Sequence, residues 1–256
     1  MKINVVKKMD RGLAYGEACF ETFRVIDGAI FSWPDHVARL KRGLERLCLT
    51  VSDRDIEMMQ CACLQAAAAE GGDVLVRLTV SGGEAEWGLF AKSETHSAYI
   101  QTMVYHSEQI ALMLNQRSWL SPPVHRVAKF TADYGMLLRQ LQGERAALLV
   151  WQGQLVSAAA ANILILRQGE WWTPAVADGV LPGVIRHRLI QAGLVREATC
   201  PCEWLDDCDA LAVTASSFFV RPVASIQRVS GCSRQLAEHS HTLKEYLCGF
   251  EGTPGV

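Results

Sequence analysis

Two features of this chain are suited to chemistry: a lysine, and a helix start that follows a glycine turn. Lys129 lies in the segment AKFTADY, with Tyr134 five residues further on. Burial or cationic neighbours lower a lysine's pKa and make its amine a nucleophile able to form an imine. Downstream, Leu181-Pro182-Gly183 reads as a turn feeding a helix that begins near Val184. The first N–H groups of a helix have no internal partner and lie at the positive end of its dipole. Val184 and Ile185 therefore form a natural cradle for a phosphate. A phosphate seat together with an imine-forming lysine points to pyridoxal 5'-phosphate (PLP).

Regular elements must hold these groups. Gly153–Arg186 reads as two strands, a Thr-Pro turn, the glycine turn and the helix. Earlier, Cys19–Ile26 is strand-like, Asp27-Gly28 is a turn, and Ile30–Ser32 is a return strand. Pro34 and Asp35 mark a helix start, and Val37, Leu40, Leu44 and Leu47 share one face of that helix. Asp53–Glu70 is a second helix, and Asp73–Ser81 and Ala98–Tyr105 are strands. Alternation of strands and helices gives an α/β class, α+β in part, in two lobes. The expected division is a small N-terminal α/β lobe over 1–112, a linker over 113–124 holding Pro122-Pro123, and a larger β-rich, cofactor-binding lobe over 125–256.

Bulk properties fit a soluble enzyme. A length of 256 residues is enough to bury a core. The 25 basic residues nearly balance the 27 acidic ones, so no basic face invites nucleic acid. The apolar runs are too short to span a bilayer, and the first residues lack the apolar stretch of a signal peptide. Nine irregularly spaced cysteines then suggest reduced thiols and a cytoplasmic location. Cys200, Cys202 and Cys208 lack the further ligands of a metal site and read as small buried hydrophobes.

Five ordered segments carry a resemblance. They are DRGLAYGEACFETFRVIDG, DHVARLKRGLERL, AKFTADY, the run from GQLV through ANIL and TP to GVLPGVIR, and VTASSFFVRPVASI. Together, over roughly Asp10 to Val223, they resemble the class-IV aminotransferases, the fold-type-IV PLP enzymes. Within that family the compact size and the SAAAANILIL stretch are most similar to the 4-amino-4-deoxychorismate lyases.

The resemblance implies roles. Lys129 carries the cofactor and, once freed by the substrate amine, moves the proton. Arg39 clamps the phosphate with its guanidinium fork. Val184 and Ile185 donate backbone N–H groups to the phosphate, and Ser216 and Ser217 donate hydroxyls. Tyr134 bonds the cofactor's phenolic oxygen. Asn162 and Ser157 are cofactor-side positions. Glu21 and Thr22 are neighbours on a strand and face opposite sides, so at most one points into the site. Thr22 is favoured as an aid to proton transfer, and Glu21 is the alternative or a structural residue. A homodimer and a small-molecule amine substrate are also implied.

Departures from the family pattern refine the expected reaction. The family's glutamate, five residues before the asparagine, pairs with the pyridine nitrogen; here that position is Ser157. A hydroxyl supplies no charge to hold that nitrogen protonated, so the electron sink is weaker. A lyase whose product is aromatic tolerates this better than a transaminase. Gly82 and Trp87 stand where the family often has loop arginines, and GEA (Gly16–Ala18) replaces GDG. The expected function is conversion of 4-amino-4-deoxychorismate to 4-aminobenzoate and pyruvate, in folate biosynthesis. The alternatives are an aminotransferase of the branched-chain or D-amino-acid type, and a non-catalytic relic of the fold.

Overall fold

A computed structural model describes residues 1, 3–106, 112–118, 129–141, 147–227 and 233–248. The chain divides into two units: residues up to 105 with 129–136 form the first, and the remainder form the second.

The first unit opens with a short strand, β1 (Met9–Asp10), and a one-turn helix, α1 (Arg11–Tyr15). β2 (Ala18–Ile26) and β3 (Ala29–Ile30) make the expected hairpin through Asp27-Gly28. Ser32 does not extend β3. Its backbone is left-handed (φ 54°), and it caps α2 (Trp33–Arg46), which has proline in its first turn. α3 (Asp53–Glu70) matches the predicted helix and starts with a capping box between Ser52 and Asp55. β4 (Val74–Ser81), the short β5 (Glu84–Ala85) and β6 (Ser97–Val104) follow. The main sheet runs β3-β2-β4-β6, and its central pairings are antiparallel.

Alternation sets what each face of this sheet meets. Val74, Val76, Leu78 and Val80 of β4 are at most 1% exposed. With Cys19, Phe23 and Val25 of β2 they pack on Leu40 and Leu44 of α2 and on Ile56, Met59 and Cys63 of α3. Fully burying each large apolar side chain stabilises by about 1.5–3 kcal/mol. The other face carries Phe20, Thr22 and Arg24 of β2, with Arg77 of β4 in register opposite Thr22.

The second unit is built on a nine-stranded sheet among the described residues. Its strands are β7 (Leu112–Ser118), β8 (Ala147–Trp151), β9 (Gln154–Ala158), β10 (Asn162–Arg167), β11 (Glu170–Pro174), β12 (Arg196–Ala198), β13 (Ala210–Ala215), β14 (Phe219–Gln227) and β15 (Ser233–Gln235). The order is β12-β11-β10-β13-β14-β7-β8-β9, with β15 on β14. α4 (Thr131–Leu141) begins in the first unit and ends in the second. A 3-10 turn (Val176–Asp178), α5 (Val184–Gln191), α6 (Trp204–Asp207) and α7 (His241–Cys248) complete the element list. Cys200, Cys202 and Cys208 are buried in this unit's core with Leu155, Ile163 and Leu211, in line with their reading as small hydrophobes.

Two boundaries differ from the sequence reading. The expected linker over 113–124 begins as a strand: β7 pairs in parallel with both β14 and β8, so both its edges are bonded inside the sheet. The rest of that linker, Pro122-Pro123 included, lies outside the described residues. Lys129 belongs to the first unit and not to the C-terminal lobe. Its carbonyl accepts the Phe20 N–H at 3.2 Å, Phe130 bridges Cys19, and the Thr131 hydroxyl donates to the Gly16 carbonyl at 2.9 Å.

Candidate active site

In the first unit, backbone pairing fixes Lys129 against β2, and Phe20 becomes the platform beside it. Lys129 Nζ lies 5.0 Å from the centre of the Phe20 ring. The Tyr134 ring, on α4, meets the same ring at 4.9 Å and 59°. The Arg77 guanidinium stands 3.6 Å from its centre. Arg77 Nε is buried without a hydrogen-bond partner. The sequence reading missed Arg77. Its signal is a lone arginine at an alternating position in VLVRLTVS, in register with Thr22.

Across the sheet, on the helix side, Glu21 is 2% exposed. It accepts from Arg39 through both carboxylate oxygens: Nε to Oε1 at 2.8 Å, and Nη2 to Oε2. His36 Nδ1 is 2.7 Å from Glu21 Oε2. His36 and Arg39 are three residues apart on α2, so they share a helix face and both reach the strand. Glu21 is therefore the member of the Glu21/Thr22 pair that meets Arg39, while Thr22 shares the Phe20 and Arg77 face. The spacing of HVAR against the odd positions of β2 is the signal for this contact.

Charge and burial tune the cluster. Burial would raise the Glu21 carboxyl, but the Arg39 charge and the bonds from Arg39 and His36 outweigh it and hold Glu21 below the carboxylate range. Burial pushes His36 down against the pull of Glu21, with Arg39 and Lys129 adding to the depression. The imidazole is therefore neutral at pH 7, and its Nδ1–H donates to Glu21. Lys129 is lowered to about 8 by burial first, then by Arg39 and Arg77, with Glu21 opposing. At pH 7 about one such amine in ten is neutral, against about one in three thousand at the ordinary value.

The second unit gathers the remaining predicted residues. Asn162 starts β10 and pairs with Thr214 near the end of β13. The Asn162 amide donates to the Leu181 carbonyl at 2.9 Å. Asn162, expected on the cofactor side, anchors the glycine turn through that amide. Gly183 packs closely there: a Cβ would meet Asn162 Oδ1, so a larger residue would push the Asn162 side chain aside. α5 begins at Val184, and the His187 N–H donates to the Gly183 carbonyl at 2.8 Å. The N–H groups of Val184 and Ile185 precede that bond, as a phosphate cradle needs. Arg186 locks the helix by donating to the Pro174 carbonyl at 2.8 Å and by pairing with Glu197 at 2.9 Å. Ser216 and Ser217 sit in the turn between β13 and β14, which the Thr214 hydroxyl braces on the Phe219 carbonyl at 2.6 Å. Register thus brings the Ser216–Ser217 turn and the Gly183 turn to one end of the sheet.

Ser157 is 8% exposed on β9, opposite Leu149 of β8. The loop departure also has a physical cause. At Gly82 a Cβ would meet the Glu17 carboxylate, which is paired with Arg11, so a larger residue there would displace that side chain. Trp87 is fully exposed.

The chain is similar to known proteins in sequence and in fold. The family model described as amino-transferase class IV matches residues 18–226. The aminodeoxychorismate lyase of Bacillus subtilis is 25% identical over 73% of this chain and 68% of its own length. The D-alanine aminotransferase of Bacillus licheniformis is 22% identical over 85% of this chain and 81% of its own. The crystal structure of a branched-chain aminotransferase from Thermoproteus uzoniensis superposes with a TM-score of 0.80 at 22% identity, covering 94% of this chain and 88% of the other.

Proposed function

We propose that this chain, which belongs to the class IV amino-transferase family, is a lyase that converts 4-amino-4-deoxychorismate to 4-aminobenzoate and pyruvate. Enzymes of this family depend on PLP, which when bound supplies an electron sink for the carbon that carries the substrate amine. The residues present fit that group. Lys129 offers an amine lowered to about 8, and the Gly183 turn leaves the start of α5 open where a Cβ would overlap Asn162. Val184, Ile185, Ser216 and Ser217 would hold the phosphate, and Arg39 would clamp it with its guanidinium. Tyr134 would hold the phenolic oxygen.

The chain's own groups then supply the proton transfers. Lys129 Nζ takes the proton from the amine-bearing carbon, and the Thr22 hydroxyl assists on the Phe20 side of β2. Arg77 supplies the fixed cation for a substrate carboxylate that the Gly82 loop lacks. Ser157 carries the choice of a lyase. It is buried opposite Leu149, at the position of the family's acid, and its hydroxyl gives the pyridine nitrogen no charge. Formation of an aromatic ring offsets the weaker sink. The enzyme would act as a cytoplasmic homodimer in folate biosynthesis.

An aminotransferase of the D-amino-acid or branched-chain type is the second reading, favoured by the match to the D-alanine aminotransferase over 85% of the chain. Two assays on the purified protein separate them. Pyruvate released from aminodeoxychorismate without an added keto acid supports the lyase. Amine transfer that requires a keto acid, with no pyruvate release from aminodeoxychorismate, sinks it.

A further inference from the structure

The helix side of β2 holds buried groups that the proton transfers above do not use. Glu21 and His36 are 2% and 1% exposed. Glu21 takes two bonds from Arg39 and one from His36. A guanidinium held by two parallel bonds is fixed in direction as well as place. The third bond, from His36, fixes the carboxylate, and the His36 ring packs on Phe23 at 5.4 Å. Glu21 also adjoins Phe20, whose N–H holds the Lys129 carbonyl. The same carboxylate thus touches Arg39 directly and lies one residue from the anchor of Lys129.

The charges around Lys129 come from several elements. Arg39 on α2 and Arg77 on β4 oppose its proton, and Glu21 on β2 favours it. His36 on α2 is neutral. Tyr134 on α4 bears on Arg39 electrostatically.

We propose that Glu21 is a positioning residue that fixes Arg39 through its two-oxygen grip and supplies the negative charge offsetting Arg39 and Arg77 around the Lys129 amine. His36 is its brace. The inference rests on Lys129 as the reactive lysine and is independent of the choice between lyase and aminotransferase.

The test uses the full-length, cofactor-free protein. Lys129 is labelled with acetic anhydride across a pH series and quantified by mass spectrometry, which gives the midpoint of amine reactivity. Glu21→Gln removes the charge and moves the midpoint down by about 1 unit or more, the size expected for a lost opposite charge at close range. Glu21→Asp keeps the charge on a shorter arm, and its midpoint falls between wild type and Glu21→Gln. A purely structural glutamate would leave the midpoint of a folded variant in place. Circular dichroism reports folding. If Glu21→Gln does not fold, Glu21→Ala, which also removes the charge, decides: a wild-type midpoint in the folded alanine variant overturns the proposal, and a lowered one supports it. Added PLP blocks labelling of wild-type Lys129 if that lysine takes the cofactor, so the reactive-lysine reading is checked separately in the same experiment.

Discussion

Lys129 holds its proton less firmly than a solvated lysine because burial and two arginines outweigh one glutamate. In the proposed reaction the neutral amine is the base, and its share grows as pH rises through about 8. Turnover should therefore climb over that range, and a profile flat between pH 6.5 and 9 would contradict the assignment of Lys129 as the base. Stability carries the same signature. From about 8 to the unfolded value near 10.5 the unfolded chain binds the extra proton, so stability rises with pH. Below that window the folded state bears a penalty of about 3 kcal/mol. Lys129→Met should accordingly raise the melting temperature of cofactor-free protein at pH 7 by about 5 °C, a gap that closes above pH 10. It should also abolish the visible cofactor band that borohydride removes. At Ser157 the expectation concerns balance between reactions: Ser157→Glu should increase keto-acid-dependent amine transfer relative to pyruvate release, measured as the ratio of the two rates.

Each element positions one group through a contact that can be broken. β10 holds the glycine turn through the Asn162 amide. Asn162→Ala should cost about 1 kcal/mol of stability and weaken PLP binding, as followed by fluorescence titration. Gly183→Ala should weaken it further, because the added Cβ displaces Asn162 and the start of α5 together. In the first unit, β2 and α2 are joined by the Glu21 cluster. Removing one partner of such a buried pair costs about 3–5 kcal/mol. Glu21 is held below the carboxylate range, so its stabilising contribution is complete above the ordinary carboxylate pKa and is lost as pH falls through its lower folded value. The loop after β4 is constrained differently: Gly82→Arg should destabilise the loop and restore no anion site, since the added side chain meets the Glu17 carboxylate.

At the scale of the whole molecule, the residues of the proposed function fall in both units of the chain. The first holds Lys129, Tyr134, Arg39 and Arg77; the second holds the glycine turn, the serine turn and Ser157. Exposed Leu13, Trp87, Leu89 and Phe90 in the first unit give an apolar surface suited to the proposed homodimer. Sedimentation at micromolar concentration should give twice the mass of the 28.2 kDa chain, and Trp87→Glu with Phe90→Glu should shift it towards monomer. Among the described residues no helix is long and apolar enough to cross a membrane.

The sequence by itself determined what depends on local pattern. Alternation in β2 and β4, the cap and apolar stripe of the helices, and the turn chemistry of Asp27-Gly28 and Leu181-Pro182-Gly183 are short-range properties, and these elements were legible with their boundaries nearly right. Lys129 stands out as a candidate by its residue type, and the helix start at Val184 was legible from the glycine turn before it. Tertiary structure decided the rest. Glu21 and Thr22 are adjacent in the chain, and only packing of α2 on one face of the sheet assigns Arg39 to Glu21. Arg77 reads as an ordinary strand charge until β2 brings Phe20 to it and the bridge at Cys19 brings Lys129 to the same ring. The bond from the Asn162 amide to Leu181 joins residues 19 apart and is not legible in the sequence. β7 reads as linker because its pairing partners lie far along the chain. These contacts join residues distant in sequence, and local propensity carries no record of which distant partner a side chain will meet.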